Sequence, residues 1–238
     1  PAEIISIKQP DIFTGDLEMS ITGLIRQTSV LGDQLVLRRT ISGTLGEAAI
    51  RIHDEVINEG NTTAPHMLLY HLNFGWPLVD EGTEIIWNGD WRGSWEPRAG
   101  NPDIIFNENN NYRICSAPLD SHSGGGEEAA IIDPEADEDG WCSCGVYNPA
   151  LQFGVAVKFQ KQQLPVLTNW QHWGKGEYVM GLEPGTHPPT GQAKARREGN
   201  LIFLQPGERR NYELQFNILN TSTAIRQFQT ALSSTPHN

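Results

Sequence analysis

HMLLYHLNFGWPLVDEG, residues 66–82, is the stretch where the patterning of the chain is densest. With Pro65 near its start and Gly75-Trp76-Pro77 closing it, residues 63–74 read as one strand. Alternation places Met67, Leu69, His71 and Asn73 on one face, and His66, Leu68, Tyr70, Leu72 and Phe74 on the other. His71 therefore shares a largely apolar strand with an Asn. An imidazole in that position is either a core group hydrogen-bonded to backbone or a proton carrier working near pH 7.

Working outward, the same period of two recurs on both sides. EIISIK (3–8), DLEMSITGLIRQTSV (16–30), QLVLRRTISG (34–43) and EAAIRIHDEVINEG (47–60) read as strands of a meander joined by polar turns. After the His71 stretch come TEIIWN (83–88), CGVYNP (144–149), LQFGVAVKFQ (151–160), LPVLTNW (164–170), GEYVMGLEPG (176–185), NLIFLQPGE (200–208) and RNYELQFNIL (210–219). One helix is expected in TSTAIRQFQTAL, with Ala224, Ile225, Phe228 and Leu232 on one face and Thr221 or Ser222 as N-cap. Residues 89–114 read as loop. Residues 116–144, with a glycine triplet and an acidic block at 127–139, read as a solvated surface excursion. No repeat or linker divides the chain, so 1–238 is expected to be one all-β, mostly antiparallel domain.

The 238 residues carry a net charge of −12, which argues against nucleic acid or anionic lipid as a partner. No apolar run is long enough to span a membrane, and the start lacks a secretory pattern. Cys115, Cys142 and Cys144 are odd in number and poorly spaced for zinc, which suits free thiols in a reducing cytoplasm. His66 and His71 are an odd number of positions apart, so a strand points them away from each other and no metal site is expected from them. The chain opens at Pro1 in strand-like sequence. The expectation is therefore that N-terminal strands, supplied by an N-terminal segment or a partner chain, complete the sheet over an exposed apolar edge, with assembly into a homo-oligomer a separate expectation.

Glu183 ends the apolar strand GEYVMGLEPG, just before a Pro-Gly loop. Tyr178, Met180 and Leu182 share one face of that strand; Val179, Gly181 and Glu183 share the other. A carboxylate beside glycines is a surface residue or a group that meets a ligand, because glycine admits close approach. His71 and Glu183 on strands of one sheet would supply a general acid and a general base. They are expected to be separated by room for the edge of a sugar ring. Trp76, Trp170, Trp173 and Tyr178 lie near them in sequence, where aromatic faces could stack on sugar C–H faces, and His187 flanks the Glu183 strand.

The ordered set of these segments resembles the aldose 1-epimerase, or galactose mutarotase-like, superfamily, in a divergent bacterial branch. YHLNFGWPL resembles the strand motif that carries the acid His of that family, and GLEPGTHPPTG resembles the motif that carries its base Glu. LQPGERRNYELQFNI resembles the segment before its last strand, and LPVLTNWQHWG a segment that lines its sugar site. An N-terminal His and a sugar-contacting Arg of the family have no counterpart before residue 53, and its hydroxyl-binding Asp has no clear match. The resemblance implies a β-supersandwich and a cofactor-free enzyme that interconverts the anomers of a monosaccharide or sugar derivative. In it His71 and Glu183 would be catalytic, and Asn73, Trp76, Trp170, Trp173, Tyr178 and His187 would bind substrate. Two other functions share that fold: a carbohydrate-binding or sensing protein, and another sugar isomerase or lyase.

Overall fold

The alternation in residues 18–58 folds as read, into long antiparallel strands whose apolar residues meet across the ladder. The computed structural model describes residues 2–93 and 112–233, which group into two units. The first runs to Met67 and includes Gln192–Asn217. Its sheet orders β1 (Glu3–Lys8), β2 (Glu18–Thr28), β3 (Gln34–Thr44), β4 (Ala49–Asn58) and β15 (Arg209–Leu219) side by side, all antiparallel. Register aligns Ile7, Ile21, Ile41, Ile52 and Leu214 in one row. Burial deepens along it, from Ile7 at 63 % exposed to Leu214 at 1 %. The apolar exposure expected near the start of the chain is thus present on β1 and β2. Arg39 and Asp54 are cross-strand partners, and the guanidinium grips the fully buried carboxylate through Nε and Nη2 at 2.8 and 2.6 Å. Such a fork matches the two carboxylate oxygens and satisfies an otherwise costly buried charge.

The second unit begins at Leu68, runs to Gly191 and resumes at Ile218. Five antiparallel strands form one sheet in the order β6 (Leu72–Gly75), β13 (Glu177–Gly185), β12 (Val166–Gly174), β9 (Glu128–Asp133), β8 (Asp90–Gly93). Three more, β11 (Phe153–Gln160), β10 (Trp141–Asn148) and β7 (Glu84–Trp87), pair antiparallel beside one another. Leu167, Met180, Leu182, Val157, Phe159 and Val146 are all fully buried and make up much of this core. Helix α2 (Ser222–Ser233) sets Ile225 and Phe228 against Ala156 and Leu219, and its first turn is capped by Thr221 Oγ1, which accepts the Ala224 N–H at 3.2 Å.

Four local readings are corrected. The strand expected over 63–74 is interrupted: β5 (Ala64–His66) pairs with β14 (Ile202–Leu204), β6 begins only at Leu72, and between them Leu69 alone bridges to Gly185. A second helix, α1 (Gln192–Glu198), occupies a stretch with a single buried residue, Ala195, so no apolar stripe announced it. The stretch read as a surface excursion contains β9, five of whose six residues are buried, and the fully buried His122. The loop read at 89–114 contains β8; its residues 94–111 lie outside the described residues. No helix among the described residues is long and apolar enough to cross a membrane.

Candidate functional site

Strand register builds the site. Gly181 of β13 faces Asn73 of β6 on one side and Trp170 of β12 on the other. Leu182 faces Leu72, so the next step of the antiparallel ladder brings His71 beside Glu183. Directly paired residues share a face. One face of the sheet therefore carries Asn73, Gly181 and Trp170 in one row. The adjacent row holds His71, Glu183, Thr168, Ile131 and Arg92.

His71 Nε2 lies 2.9 Å from Glu183 Oε1. It is an approach rather than an aligned hydrogen bond, since Glu183 Oε1 has no hydrogen-bond partner. The expected gap between the two groups is absent, because register makes their backbones neighbours. The other ring nitrogen, Nδ1, meets Asn73 Oδ1 at 2.7 Å, so Asn73 orients the imidazole. The Glu183 side chain folds back over Gly181: a Cβ at 181 would sit 2.5 Å from Glu183 Oε1. The carboxyl is 3 % exposed, whereas the imidazole is about half exposed. Burial, and secondarily the nearby charge of Glu127, push the Glu183 carboxyl up from 4.5 to about 8.

Trp170 lies edge-on to His71, ring centres 5.4 Å apart, and donates its indole N–H to Glu127 Oε2 at 2.7 Å. Its other neighbour is His172, stacked at 6.2 Å, and His172 in turn stacks on His122. His172 Nδ1 meets the Gly126 carbonyl at 2.6 Å. The row of rings braces Trp170, and through it Glu127. A half-exposed imidazole touching a buried carboxyl of high proton affinity can exchange protons with a neutral ligand. Among the described residues no group of three or more His, Cys, Asp or Glu is arranged to hold a metal ion.

The remaining sequence-selected residues fall elsewhere. Trp173 is 1 % exposed and, three positions from Trp170, lies on the opposite face of β12. It packs on its cross-strand partner Tyr178 at 4.7 Å, and the Tyr178 hydroxyl donates to the Ser116 carbonyl at 2.5 Å. Both are packing residues of the far face rather than a wall beside His71. Trp76 sits on the turn after β6, 79 % exposed, with no ring contact or hydrogen bond among the described residues. His187 is buried past the end of β13, its Nδ1 2.8 Å from Thr186 Oγ1. Glu127, Thr168 and Arg92 were not singled out from sequence. The run AAII (129–132) was the available signal, because a short unbroken apolar run marks a buried strand.

Solved structures place this fold among known ones. A candidate aldose 1-epimerase from Klebsiella pneumoniae superposes with a TM-score of 0.77 at 23 % identity, over 91 % of this chain and 54 % of that one. A candidate aldose 1-epimerase from Escherichia coli K12 matches with a TM-score of 0.61 at 16 % identity, over 91 % and 68 % of the two chains. A galactose mutarotase-like protein from Clostridium acetobutylicum matches at 0.64 and 12 % identity, over 92 % and 67 %. The chain thus has the all-β, galactose mutarotase-like sandwich fold and spans about half the length of the Klebsiella protein. No curated protein matches it. Residues 1–218 match the family model described as a domain of unknown function, DUF4432, and the chain belongs to that family.

Proposed function

We propose that this protein is an aldose 1-epimerase-like enzyme acting on a monosaccharide or sugar derivative, with His71 as acid and Glu183 as base. The observation that carries the reading is the 2.9 Å approach of His71 Nε2 to Glu183 Oε1. The ring oxygen and the anomeric hydroxyl of a sugar are bonded to the same carbon, so an acid and a base that serve both must converge. Glu183 removes the proton from the anomeric hydroxyl while protonated His71 gives one to the ring oxygen. The C1–O5 bond breaks and a C1 carbonyl forms. Rotation about C1–C2 and the reverse proton transfers close the ring to the other anomer, restoring both residues. Asn73 orients the acid, and Trp170 offers an aromatic edge beside it. No step calls for an organic cofactor. The free, buried thiols of Cys115, Cys142 and Cys144 support a cytoplasmic setting; burial pushes the first two up to about 12 and the third higher still.

Anomer exchange of free aldoses, followed by polarimetry or NMR, tests the reading. Glu183→Gln and His71→Asn are each expected to lose on the order of 10²-fold or more in rate while sugar binding persists. Sugar binding by a wild-type protein that leaves anomer exchange at its spontaneous rate would make this a carbohydrate-binding protein instead.

A further inference from the structure

The carboxyl of Glu183 and the side chain opposite it on the sheet both lack partners. Thr168 of β12 and Glu183 of β13 are directly paired across the antiparallel ladder, so their side chains share a face. Thr168 is fully buried and Glu183 is 3 % exposed. The Thr168 hydroxyl has no hydrogen-bond partner, and neither has Glu183 Oε1. Folded proteins leave few buried polar atoms unpaired, and each such atom calls for a reason. Here two of them occupy opposed positions on neighbouring strands.

Register removes the competing partners. On its other side Thr168 faces Ile131 of β9. Its diagonal neighbours on β13 are Gly181 and Gly185, which carry no side chain. Along β12, Val166 is apolar and Trp170 gives its indole N–H to Glu127. Asp133, at the end of β9, is held by Lys161 on the solvent side. That leaves the Glu183 carboxyl as the side-chain acceptor beside this hydroxyl. Cβ atoms of opposed residues lie roughly 4.5–5.5 Å apart, close enough for a hydroxyl on one to meet a carboxyl on the other. Rotation about the Thr168 Cα–Cβ bond moves the hydroxyl from one staggered position to another. A carboxylate that ionises in a buried place needs donors, and hydrogen bonds to charged groups are the stronger kind.

We propose that Thr168 is a positioning residue for the base: when Glu183 ionises, the Thr168 hydroxyl turns onto its carboxylate, donates a hydrogen bond and holds it in place. Being fully buried, Thr168 acts through Glu183 and not on the substrate. The inference rests on the reading of Glu183 as the base, and the two can fail separately. Other charged or titratable side chains share this face. His71 on β6 touches Glu183, and Glu127 acts on it through its charge. His172 on β12 and Glu177 at the far end of β13 engage each other. Arg92 and Asp90 stand on β8, at the far edge of the sheet. Substitutions at Thr168 leave all of these in place.

NMR on protein labelled at the glutamate side-chain carboxyl carbon titrates Glu183 directly, its signal being the one that Glu183→Gln removes. Thr168→Val keeps the shape and deletes the hydroxyl, whereas Thr168→Ser keeps the hydroxyl. The Glu183 midpoint is expected to rise by about one pH unit or more in Thr168→Val and to return close to the wild-type position in Thr168→Ser. Anomer exchange near pH 7, below that midpoint, should fall about tenfold in Thr168→Val with sugar affinity unchanged. Thr168→Ser should restore it, and near pH 10 the valine variant should approach the wild-type rate. A midpoint that Thr168→Val leaves where it was overturns the hydrogen bond, whatever happens to the rate. Equal losses in both variants, or a loss that persists near pH 10, would make Thr168 a packing residue and overturn it too. If the wild type leaves anomer exchange at its spontaneous rate, Glu183 is no base, and the titration, which needs no turnover, still decides the bond.

Discussion

Glu183 holds its proton to unusually high pH because its carboxyl is buried and Glu127 lies nearby, and that has opposite consequences for activity and stability. As a base it must be ionised, so the ionised fraction of Glu183 should climb about tenfold per pH unit up to about 8, and anomerisation should follow that fraction multiplied by the fraction of His71 that still carries its proton. For stability, the folded value of about 8 exceeds the ordinary 4.5. Between those pH values the native state keeps a proton that the unfolded chain has lost. Stability therefore falls as pH rises through the window, by at most on the order of 5 kcal/mol, and is flat on either side of it. Glu183→Gln removes the titration. Denaturant melts should show the variant level with wild type near pH 4 and more stable near pH 9; equal stability at pH 9 would refute the burial argument. Gly181→Ala probes the same carboxyl sterically. The added Cβ would meet Oε1, the far end of a flexible side chain, so the carboxyl should swing aside with little change in melting temperature. Misplacing a catalytic group by about 1 Å costs roughly 10²-fold, so the rate should drop by about that factor. An unchanged rate would mean that this rotamer of Glu183 is not the working one.

Strands set the reach of the site, and the turn between β7 and β8 depends on one glycine. Gly89 has φ of +113°, and a Cβ there would lie 2.1 Å from the Asp133 carbonyl oxygen and 2.9 Å from Pro134 Cα. Both are backbone atoms and cannot swing away. Gly89→Ala should thus pry β8 from β9 and lower stability by roughly 1–3 kcal/mol, read as a shift of the denaturant midpoint. A midpoint equal to that of the wild type would show that the turn does not depend on the glycine. The same strands mark where sequence could and could not be read. His71 and Glu183 were legible because each is a polar group at a defined place in an apolar alternating pattern. Strand β9 was not: the acidic residues and glycines on its flanks outweighed its four central apolar residues, and with it Glu127 and Ile131 were missed. β8 has only four residues and no apolar alternation, so Arg92 was read as loop. Proximity in sequence groups Trp173 and Tyr178 with the site, but proximity says nothing of face. Their positions relative to Trp170 and Glu183 carried the parity that puts them in the core.

At the scale of the whole molecule, exposed apolar surface and net charge oppose each other. Ile4, Ile5 and Ile7 on β1 and Met19, Ile21 and Ile25 on β2 are each more than a third exposed, and β1 is an edge strand of its sheet. An apolar edge of this kind invites association, at about 25 cal/mol per Å² of apolar surface removed from water. Against it stands a formal charge of −12, which makes copies of the chain repel. Repulsion acts over the screening length, about 10 Å at 0.1 M salt and about 3 Å at 1 M, whereas contact between isoleucines is not screened. Self-association measured by light scattering should therefore rise with salt across that range, the reverse of what an ion-paired interface would do. Ile7→Thr combined with Ile21→Thr keeps β-branched side chains on paired positions of the ladder and removes apolar surface. The double variant should fold with the same circular dichroism, bind less of an apolar dye and stay monodisperse at high salt. Association that weakens with salt, or that the two threonines leave untouched, would place the contact on another surface.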